Sequence, residues 1–247
     1  MTKQEERALS WLMRDRIWHA DMIETLRRSR GEVLYAEEDG VILREKLSGT
    51  VLMAVLNPER LSVLYRELGL DKAEQLSVKG KEAAALLQEA FARKIQMSCF
   101  NGSFQQGRDA FLRMIPDPEN LAKDIRLLTP DYTELVFQNY DMAEDSSYVS
   151  GRIAEKKLWG LFEKNGDREE LAGFAGIHSE GSMGLLEVLP AYRRKGYAMR
   201  LEQFLIGWHL EHGLVPFCQI VIGNEASIAL QKKLGIELSE APMHWME

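Results

Sequence analysis

The sequence predicts an α/β protein with a mixed sheet, organised as two packed domains. Its 247 residues exceed one average domain and suit two domains of about 120 residues each. Short strand-like runs alternate with helix-like runs along the whole chain. The order strand, hairpin, helix, strand, helix occurs in both halves, without a repeat at the residue level. We therefore predict two similarly built domains, residues 1–119 and 120–247.

The bulk composition excludes several classes of protein. Apolar residues make up 45% of the chain, enough for ordinary buried cores. A net charge of −7 disfavours nucleic acid and anionic membrane surfaces as partners. No apolar run is long enough to span a bilayer, and the N-terminus lacks the apolar core of a signal peptide. The two cysteines, Cys99 and Cys218, indicate neither a disulfide framework nor a metal site, so we expect a cytoplasmic protein without a metal cofactor.

The first half begins with a helix and continues with short strands. Leucine, tryptophan and methionine recur at helical spacing and predict a helix over 3–28. Asp39-Gly40 predicts a hairpin turn, and Asn57-Pro58-Glu59 has the order of a helix cap. The elements predicted for this half are a helix at 3–28, strands at 32–37, 41–44 and 50–56, a helix at 57–68, a strand at 75–78, a helix at 81–93 and a strand at 95–100.

A proline pair then interrupts the pattern. Pro116 and Pro118 prohibit a continuing helix and favour an extended connector. We place the domain boundary there, with a surface loop inside one domain as the alternative. The elements predicted for the second half are a strand at 124–128, helices at 131–140 and 147–162, strands at 171–178 and 182–189, a helix at 194–212, a strand at 215–222 and a helix at 224–234.

The stretch from Gly184 to Ala198 carries the clearest chemistry. A strand ends at Pro190, a basic loop follows, and a turn of small residues opens a helix. The first turn of a helix exposes unpaired N–H donors and a partial positive charge, so it favours anions. Gly196 and Ala198 remove side-chain bulk where a diphosphate would approach the backbone. This stretch therefore predicts a site for a phosphate-bearing ligand, although an unliganded basic turn has the same composition.

The spacing of this loop resembles that of a known superfamily. Arg193, Gly196 and Ala198 fill the pattern [Arg/Gln]-x-x-Gly-x-[Gly/Ala] of the coenzyme A loop in GNAT (Gcn5-related) N-acetyltransferases. The stretch from Asn224 to Gly235 is similar to that family's final helix, and the resemblance covers the last half of the chain. The segment before Asn224 is similar to the glycine N-acyltransferase-like branch.

The resemblance implies a cofactor site for acetyl-CoA. It implies two diverging strands, 182–189 and 215–222, with pantetheine between them and the pyrophosphate on the basic loop. The residues it assigns to the cofactor are Leu186, Val188, Arg193, Arg194, Lys195, Gly196, Tyr197, Ala198 and Asn224.

Catalysis requires a group that takes a proton from an alkyl ammonium, whose pKa is near ~10. Glu187, on the strand before the basic loop, is the first candidate base, and His178 on the neighbouring strand is the second. Either one is equally compatible with a structural role at the strand surface or at the turn near Gly181. Many family members have a tyrosine as general acid in the last helix, and this chain has Gln231 there. Water or Tyr197 would have to replace that tyrosine.

These observations predict an N-acetyltransferase that moves an acetyl group from acetyl-CoA to a primary amine of a small molecule or peptide. The alternative is a non-catalytic module that binds acyl-CoA or recruits a partner, which Gln231 favours. The N-terminal half lacks a basic glycine loop, so we interpret it as a degenerate GNAT-like domain or a substrate lid. The polar stretch 101–107 is expected to be a loop. The sequence leaves the amine and the oligomeric state open.

Overall fold

A computed structural model describes residues 1–142, 145–166 and 168–247. Its helices are α1 (Lys3–Leu12), α2 (Ala20–Arg27), α3 (Pro58–Glu67), α4 (Lys81–Phe91), α5 (Arg108–Met114), α6 (Thr133–Asn139), α7 (Ser146–Ala154), α8 (Tyr197–Glu211) and α9 (Glu225–Lys233). Its strands are β1 (Gly31–Glu37), β2 (Gly40–Glu45), β3 (Val51–Val55), β4 (Leu76–Lys79), β5 (Ile95–Ser103), β6 (Ile125–Leu127), β7 (Leu158–Asn165), β8 (Arg168–Ile177), β9 (Met183–Val188), β10 (Phe217–Val221), β11 (Glu237–Leu238) and β12 (Met243–Met246). The predicted α/β class with a mixed sheet is confirmed.

The chain forms two compact units. The first comprises residues 1–103 together with 219–247, and the second comprises residues 104–218. The last helix predicted for the second half, α9, belongs to the first unit. The units do not coincide with the predicted domains 1–119 and 120–247, and a folding boundary near residue 119 stays a prediction.

The first unit opens with two helices where the sequence predicted one over 3–28, so that prediction is wrong. The Asp15 carboxylate accepts hydrogen bonds from the amides of Ile17 and Trp18, at 3.2 and 2.9 Å. A short polar side chain that captures nearby amides competes with helical hydrogen bonding. The helix therefore stops in a 3₁₀ turn, Met13–Asp15, and α2 begins at Ala20.

The sheet of the first unit is completed by the end of the chain. Its strand order is β1-β2-β3-β4-β12-β5, with β11 paired to β5. The hairpin predicted at Asp39-Gly40 is confirmed, with Glu37 opposite Gly40. β12 is antiparallel to both of its neighbours, β4 and β5, and had not been predicted. The predicted loop at 101–107 is partly wrong, because residues 101–103 belong to β5, where Gly102 and Ser103 pair with β11.

A buried ion pair joins four elements of the first unit. Both oxygens of Asp21 in α2 lie 2.8 Å from the ammonium of Lys79 at the end of β4. The Asn101 amide in β5 donates to Asp21 at 3.0 Å, and the Met243 sulfur in β12 lies 3.5 Å from Lys79. The Lys79 and Asp21 side chains are 0% and 1% exposed. Burial lowers the pKa of Lys79, and Asp21 opposes that effect.

In the second unit, strands β6, β7, β8 and β9 form an antiparallel series in that order. The helix predicted over 147–162 is wrong in its second half. α7 ends at Ala154, Lys156 has a left-handed φ of +57°, and β7 begins at Leu158. Residues 158–162 are all buried, so the apolar run lacks the alternation that marks a strand with one exposed face.

Helix α8 packs against β8 and β9. Leu201, Leu205 and Ile206 are fully buried on its inner face. The predicted end of this helix at Gly213 is confirmed, since α8 ends at Glu211 and Gly213 has φ +68°. The position of α8 is therefore fixed by its packing, and its N-terminus follows directly from the basic loop.

Both cysteines are free and buried, and burial raises the pKa of Cys99 to about 12. Among the described residues, no helix has the length and apolar character needed to cross a bilayer. The same residues contain no group of three or more His, Cys, Asp or Glu side chains arranged to hold a metal ion.

The Asp21–Lys79 pair leads to a stability prediction. Asp21→Asn leaves the Lys79 charge buried without a counterion, so the free energy of unfolding should fall by about 3–5 kcal/mol. Combining Asp21→Asn with Lys79→Met removes both charges and should recover much of that loss. Urea denaturation of the single and double variants measures both values. The control is Glu37→Gln. Glu37 and Arg7 form an ion pair whose side chains are 48% and 52% exposed, so this change should alter the free energy of unfolding by less than about 1 kcal/mol. A double variant less stable than Asp21→Asn alone would contradict this account.

Candidate active site

Strand β9 is interrupted by a bulge. Glu187 lies opposite Phe174 in β8, but the next pair toward the start of β9 joins Gly184 to Gly176. Leu185 and Leu186 therefore stand opposite the single residue Ala175. Leu185 has a left-handed φ of +50°, which is uncommon for a residue with a side chain. Its side chain is fully buried in the core cluster that contains Phe174, and this packing holds the bulge.

The other edge of β9 is open along most of its length. β9 pairs with the parallel strand β10 at one position, Met183 with Cys218. From Gly184 to Val188, the described residues provide no further ladder pair on that edge. Backbone donors and acceptors on such an edge require water or a ligand as partners.

After β9 the chain forms a short basic loop and enters α8. The 3₁₀ turn Pro190–Tyr192 is followed by Arg194 at φ +65° and Gly196 at φ +85°. Gly196 is the N-cap of α8 and provides no side chain to bond the first amides of the helix. A Cβ added at Gly196 would have no heavy atom within 4 Å, so the space beside it is open. The backbone at the start of α8 is therefore accessible, and the anion cradle stays a prediction.

Two of the three loop cations are paired with carboxylates. The Arg193 guanidinium lies 3.0 Å from the Glu187 carboxylate and donates to the Val188 carbonyl, also at 3.0 Å. The Lys195 ammonium donates to Glu163 in β7 at 2.8 Å. Within the described residues, the exposed Arg194 side chain makes no recorded hydrogen bond or ion pair. An anion that binds at the loop could therefore contact Arg194 directly. To contact Arg193 or Lys195 it would first have to displace Glu187 or Glu163.

Tyr197, in the first turn of α8, is anchored to the same carboxylate. Its hydroxyl donates to Glu163, and partial burial together with that bond raises the pKa of Tyr197 to about 12. The hydrogen bonds from Lys195 and Tyr197 lower the pKa of Glu163. Tyr197 is thus a positioning residue of the loop. The contacts of Glu163, which sequence reasoning missed, are formed across 32 residues of chain.

A second polar cluster lies at the opposite end of β9. The Tyr148 hydroxyl in α7 lies 2.6 Å from His178 Nδ1, and the Tyr148 ring is stacked on the His178 ring at 6.1 Å. The Tyr140 ring lies 6.4 Å from that of His178. A Cβ on Gly184 would lie 2.4 Å from His178 Nε2, so the absence of a side chain at 184 lets the imidazole approach β9.

Burial controls the protonation of this cluster. It lowers the pKa of His178 despite the nearby Glu180 carboxylate, so the imidazole is neutral near pH 7. Burial raises the pKa of Tyr148 above its usual value and that of Tyr140 to about 12. The nearby backbone of Leu185 partly offsets the effect of burial on the pKa of Tyr140. Both phenols therefore keep their protons at neutral pH.

The predicted site residues fall into separate groups. Leu186, Glu187, Val188 and the loop residues 193–198 belong to β9, the loop and α8. His178 instead contacts Gly184, three residues and roughly 10 Å of strand away from Glu187. Asn224 belongs to the first unit, where its side chain caps α9 by accepting from the Ser227 amide at 3.0 Å. Gln231, at the position of the family's usual tyrosine, is 2% exposed in α9.

The corresponding helix of the first unit begins differently. Asn57 caps α3 and accepts from the amides of Glu59 and Arg60 at 2.8 and 3.2 Å. The first amides of α3 are therefore bonded by the Asn57 side chain, whereas Gly196 has no side chain to bond the first amides of α8. Arg60 lies beside the carboxylates of Asp39 and Glu67. The N-terminal half lacks a basic glycine loop, and the start of its corresponding helix is capped by Asn57.

Comparison with known proteins identifies the fold. Residues 158–245 match the family model described as FR47-like protein. The chain is similar to a crystal structure of a Drosophila protein, with 16% identity, a TM-score of 0.64 and coverage of 98% of this chain and 94% of that one. A search of curated proteins finds no match.

Two bacterial structures share the fold of this chain. A GCN5-related N-acetyltransferase from Sphaerobacter thermophilus has 14% identity and a TM-score of 0.54, covering 99% of this chain and 93% of that one. An acetyltransferase of the GNAT family from Colwellia psychrerythraea has 14% identity and a TM-score of 0.51, covering 96% and 92%. The predicted resemblance to the GNAT superfamily is confirmed, whereas the glycine N-acyltransferase-like branch stays a prediction.

Proposed function

From the GNAT fold of this chain and its FR47-like segment 158–245, we propose that it is an acyl-CoA-dependent N-acetyltransferase. It would transfer the acetyl group of acetyl-CoA to a primary amine on a small molecule or a peptide, in the cytoplasm. The observation that carries this proposal is the uncapped N-terminus of α8, approached by a loop with two left-handed residues. A backbone of this kind, with positive charge beside it, suits a diphosphate.

The described residues fit coenzyme A along the whole of β9. The amides of Tyr197 and Ala198, with Arg194, would bind the pyrophosphate. Arg193 would keep the loop against Val188, and Lys195 with Tyr197 would keep it against β7. The open edge from Gly184 to Val188 would satisfy the amide groups of pantetheine, with Leu186 and Val188 as its main-chain partners. We retain Asn224 as a cofactor residue only as a prediction.

We propose Glu187 as the group that takes the proton of the amine. Its carboxylate is 31% exposed and reaches the Arg193 guanidinium. Since an exposed ion pair is worth only about 0–1 kcal/mol, the carboxylate can leave that arginine at little cost. His178 is the second candidate. Its Nδ1 lies 2.6 Å from the Tyr148 hydroxyl, so a proton reaching Nδ1 would have to pass through Tyr148.

The second candidate function is a module that binds acyl-CoA without chemistry. Gln231 in place of a tyrosine favours it, because an amide does not serve as a general acid. The two candidates share the cofactor site and differ only in turnover.

The cofactor site can be tested with two matched glycine variants. Gly196→Glu places bulk and negative charge in the cradle, whereas Gly213→Glu makes the same change at the other end of α8. Both positions have positive φ and open space, so both variants should lose similar stability. Acetyl-CoA at one hundred times its dissociation constant should stabilise wild type and Gly213→Glu by about 2.7 kcal/mol, seen as a thermal shift. Gly196→Glu should show no shift. Normal binding by Gly196→Glu would place the site elsewhere.

The stoichiometry should be one acetyl-CoA per chain. Asn57 closes the helix of the first unit that corresponds to α8, and no basic glycine loop precedes it. Isothermal titration calorimetry of the full chain with acetyl-CoA measures the number of sites. Two equivalent sites per chain would refute the interpretation of the N-terminal half as cofactor-free.

The proposed base is tested with Glu187→Gln, which keeps the shape of the side chain and an acceptor for Arg193. Turnover should fall about a hundredfold to ten-thousandfold, and acetyl-CoA affinity should change little. The measurement is thiol release with a panel of amines, and the acidic limb of the pH–rate profile should shift or vanish. Glu163→Gln is the control, because it loosens the loop without touching β9. Full activity of Glu187→Gln would move the assignment to His178, whereas background turnover in wild type with intact binding would support the binding module.

A further inference from the structure

A cavity of about 470 Å³ lies in the first unit, at the ends of α3 and α4. Its volume falls in the range of clefts that hold small ligands. The side chains around it include Tyr65, Asp71, Phe91, Arg93, Lys94 and Glu247. All of them belong to the first unit, whereas the loop 193–198 belongs to the second. The cavity is therefore not a part of the proposed coenzyme A site.

Arg93 is held in a fixed position at the wall of the cavity. It follows Ala92, which turns the chain out of α4 with a φ of +56°. The Arg93 guanidinium donates to the carbonyls of Leu70 and Asp71 at 2.8 and 3.2 Å, and to the Tyr65 hydroxyl at 2.6 Å. These three acceptors are neutral. They orient the positive charge of Arg93 without neutralising it, which prepares the guanidinium for an anionic group.

Four charged side chains border the cavity, two of each sign. They are the cations Arg93 and Lys94 and the carboxylates of Asp71 and Glu247. Within residues 1–142, 145–166 and 168–247, none of these four side chains takes part in an ion pair. The Glu247 carboxylate accepts from the Gln96 amide at 2.8 Å, and that donor is neutral. Charges of both signs are therefore available to one ligand.

An aromatic pair forms the apolar wall of the cavity. The rings of Tyr65 and Phe91 have centroids 4.1 Å apart, and Tyr65 is 2% exposed. The Arg66 guanidinium lies over the Phe91 ring, 4.9 Å from its centroid. Phe91 is only half-buried, so part of its ring is left for an apolar group of a ligand.

We propose that this cavity binds a free α-amino acid with an apolar side chain. Arg93 and Lys94 bind its carboxylate, Asp71 and Glu247 bind its ammonium group, and the Phe91 ring contacts its side chain. A simple anion or cation leaves two of the four charges without a partner, whereas a zwitterion satisfies all four. A phosphate ester is disfavoured, because the two carboxylates repel additional negative charge. The first unit, which lacks a basic glycine loop, thus has a ligand of its own.

L-phenylalanine is the probe for this site, because it combines both charges with a ring that can pack on Phe91. A ligand of about a dozen non-hydrogen atoms has a dissociation constant of about a millimolar, at the binding free energy per atom that is usual for small ligands. The probe is titrated into the full chain, and the backbone amides are followed by nuclear magnetic resonance. Saturable shifts should appear at Asp71 and at residues 91–94, while residues 193–198 stay unchanged.

Two analogues separate the charges of the ligand. Phenylethylamine lacks the carboxylate, and phenylpropionate lacks the ammonium group. Each should bind at least about tenfold more weakly than L-phenylalanine, because hydrogen bonds between charged groups are stronger than those between neutral ones. An analogue that binds as tightly as L-phenylalanine would overturn the proposal, since the cavity would then not recognise the zwitterion.

Matched variants assign the two charges of the ligand to their partners in the protein. Lys94→Gln should weaken L-phenylalanine about three- to tenfold and leave phenylethylamine unchanged. Asp71→Asn should weaken L-phenylalanine by a similar factor and leave phenylpropionate unchanged. Both side chains are exposed, so neither change disturbs the core. Lys72→Gln and Glu74→Gln remove exposed charges that do not line the cavity, and these controls should alter no affinity.

Two further results would reject the proposal. Absence of saturable shifts at concentrations well above a millimolar would show that the cavity holds no amino acid. Binding that survives both Lys94→Gln and Asp71→Asn, or that Lys72→Gln weakens as much as Lys94→Gln does, would show that the charges of the cavity do not hold the ligand. None of these measurements uses acetyl-CoA, so the proposed function is tested separately.

Discussion

The bulge in β9 is the constraint on which the candidate site depends. A regular strand would pair every residue of β9 with β8, and Leu185 would adopt ordinary extended geometry. Holding a leucine at positive φ costs on the order of 1–2 kcal/mol, which the surroundings must offset. Complete burial of the leucine side chain contributes about 1.5–3 kcal/mol and is sufficient. At the start of the bulge Gly184 lies beside His178, while β9 continues toward the loop.

The charges of the loop show how a binding site can be stable before its ligand arrives. Arg193 and Lys195 would repel each other and Arg194 if they were left alone. Glu187 and Glu163 compensate two of these charges through pairs that are 28–58% exposed. Pairs so exposed are weak, and a diphosphate carries more negative charge than either carboxylate. A ligand can therefore displace them, and in the case of Arg193 the displaced partner is the proposed base.

Local chemistry could be predicted from the sequence, whereas contacts between distant residues could not. The hairpin at Asp39-Gly40 and the cap at Asn57 each depend on a few adjacent residues, and both have the predicted form. The helix predicted from residue 194 begins at Tyr197. β7 was misread as helix because burial of every residue from Leu158 to Phe162 hides the strand period. Tyr140 and Tyr148 lie more than 25 residues before their partner His178, which follows β8, and nothing local marks them. β12 was missed for the same reason, since its partners β4 and β5 are far away in the chain.

The two helices that follow corresponding strands show why one unit carries a site and the other does not. Both α3 and α8 begin after a strand, and every helix start exposes amide donors that need partners. In α3 the Asn57 side chain supplies the partner, which stabilises the helix by about 1 kcal/mol and closes it to ligands. In α8 Gly196 supplies none and leaves open space, so the donors remain for an anion. The same element order thus occurs with a capped start in α3 and an uncapped start in α8, and the proposed cofactor site lies at the uncapped one.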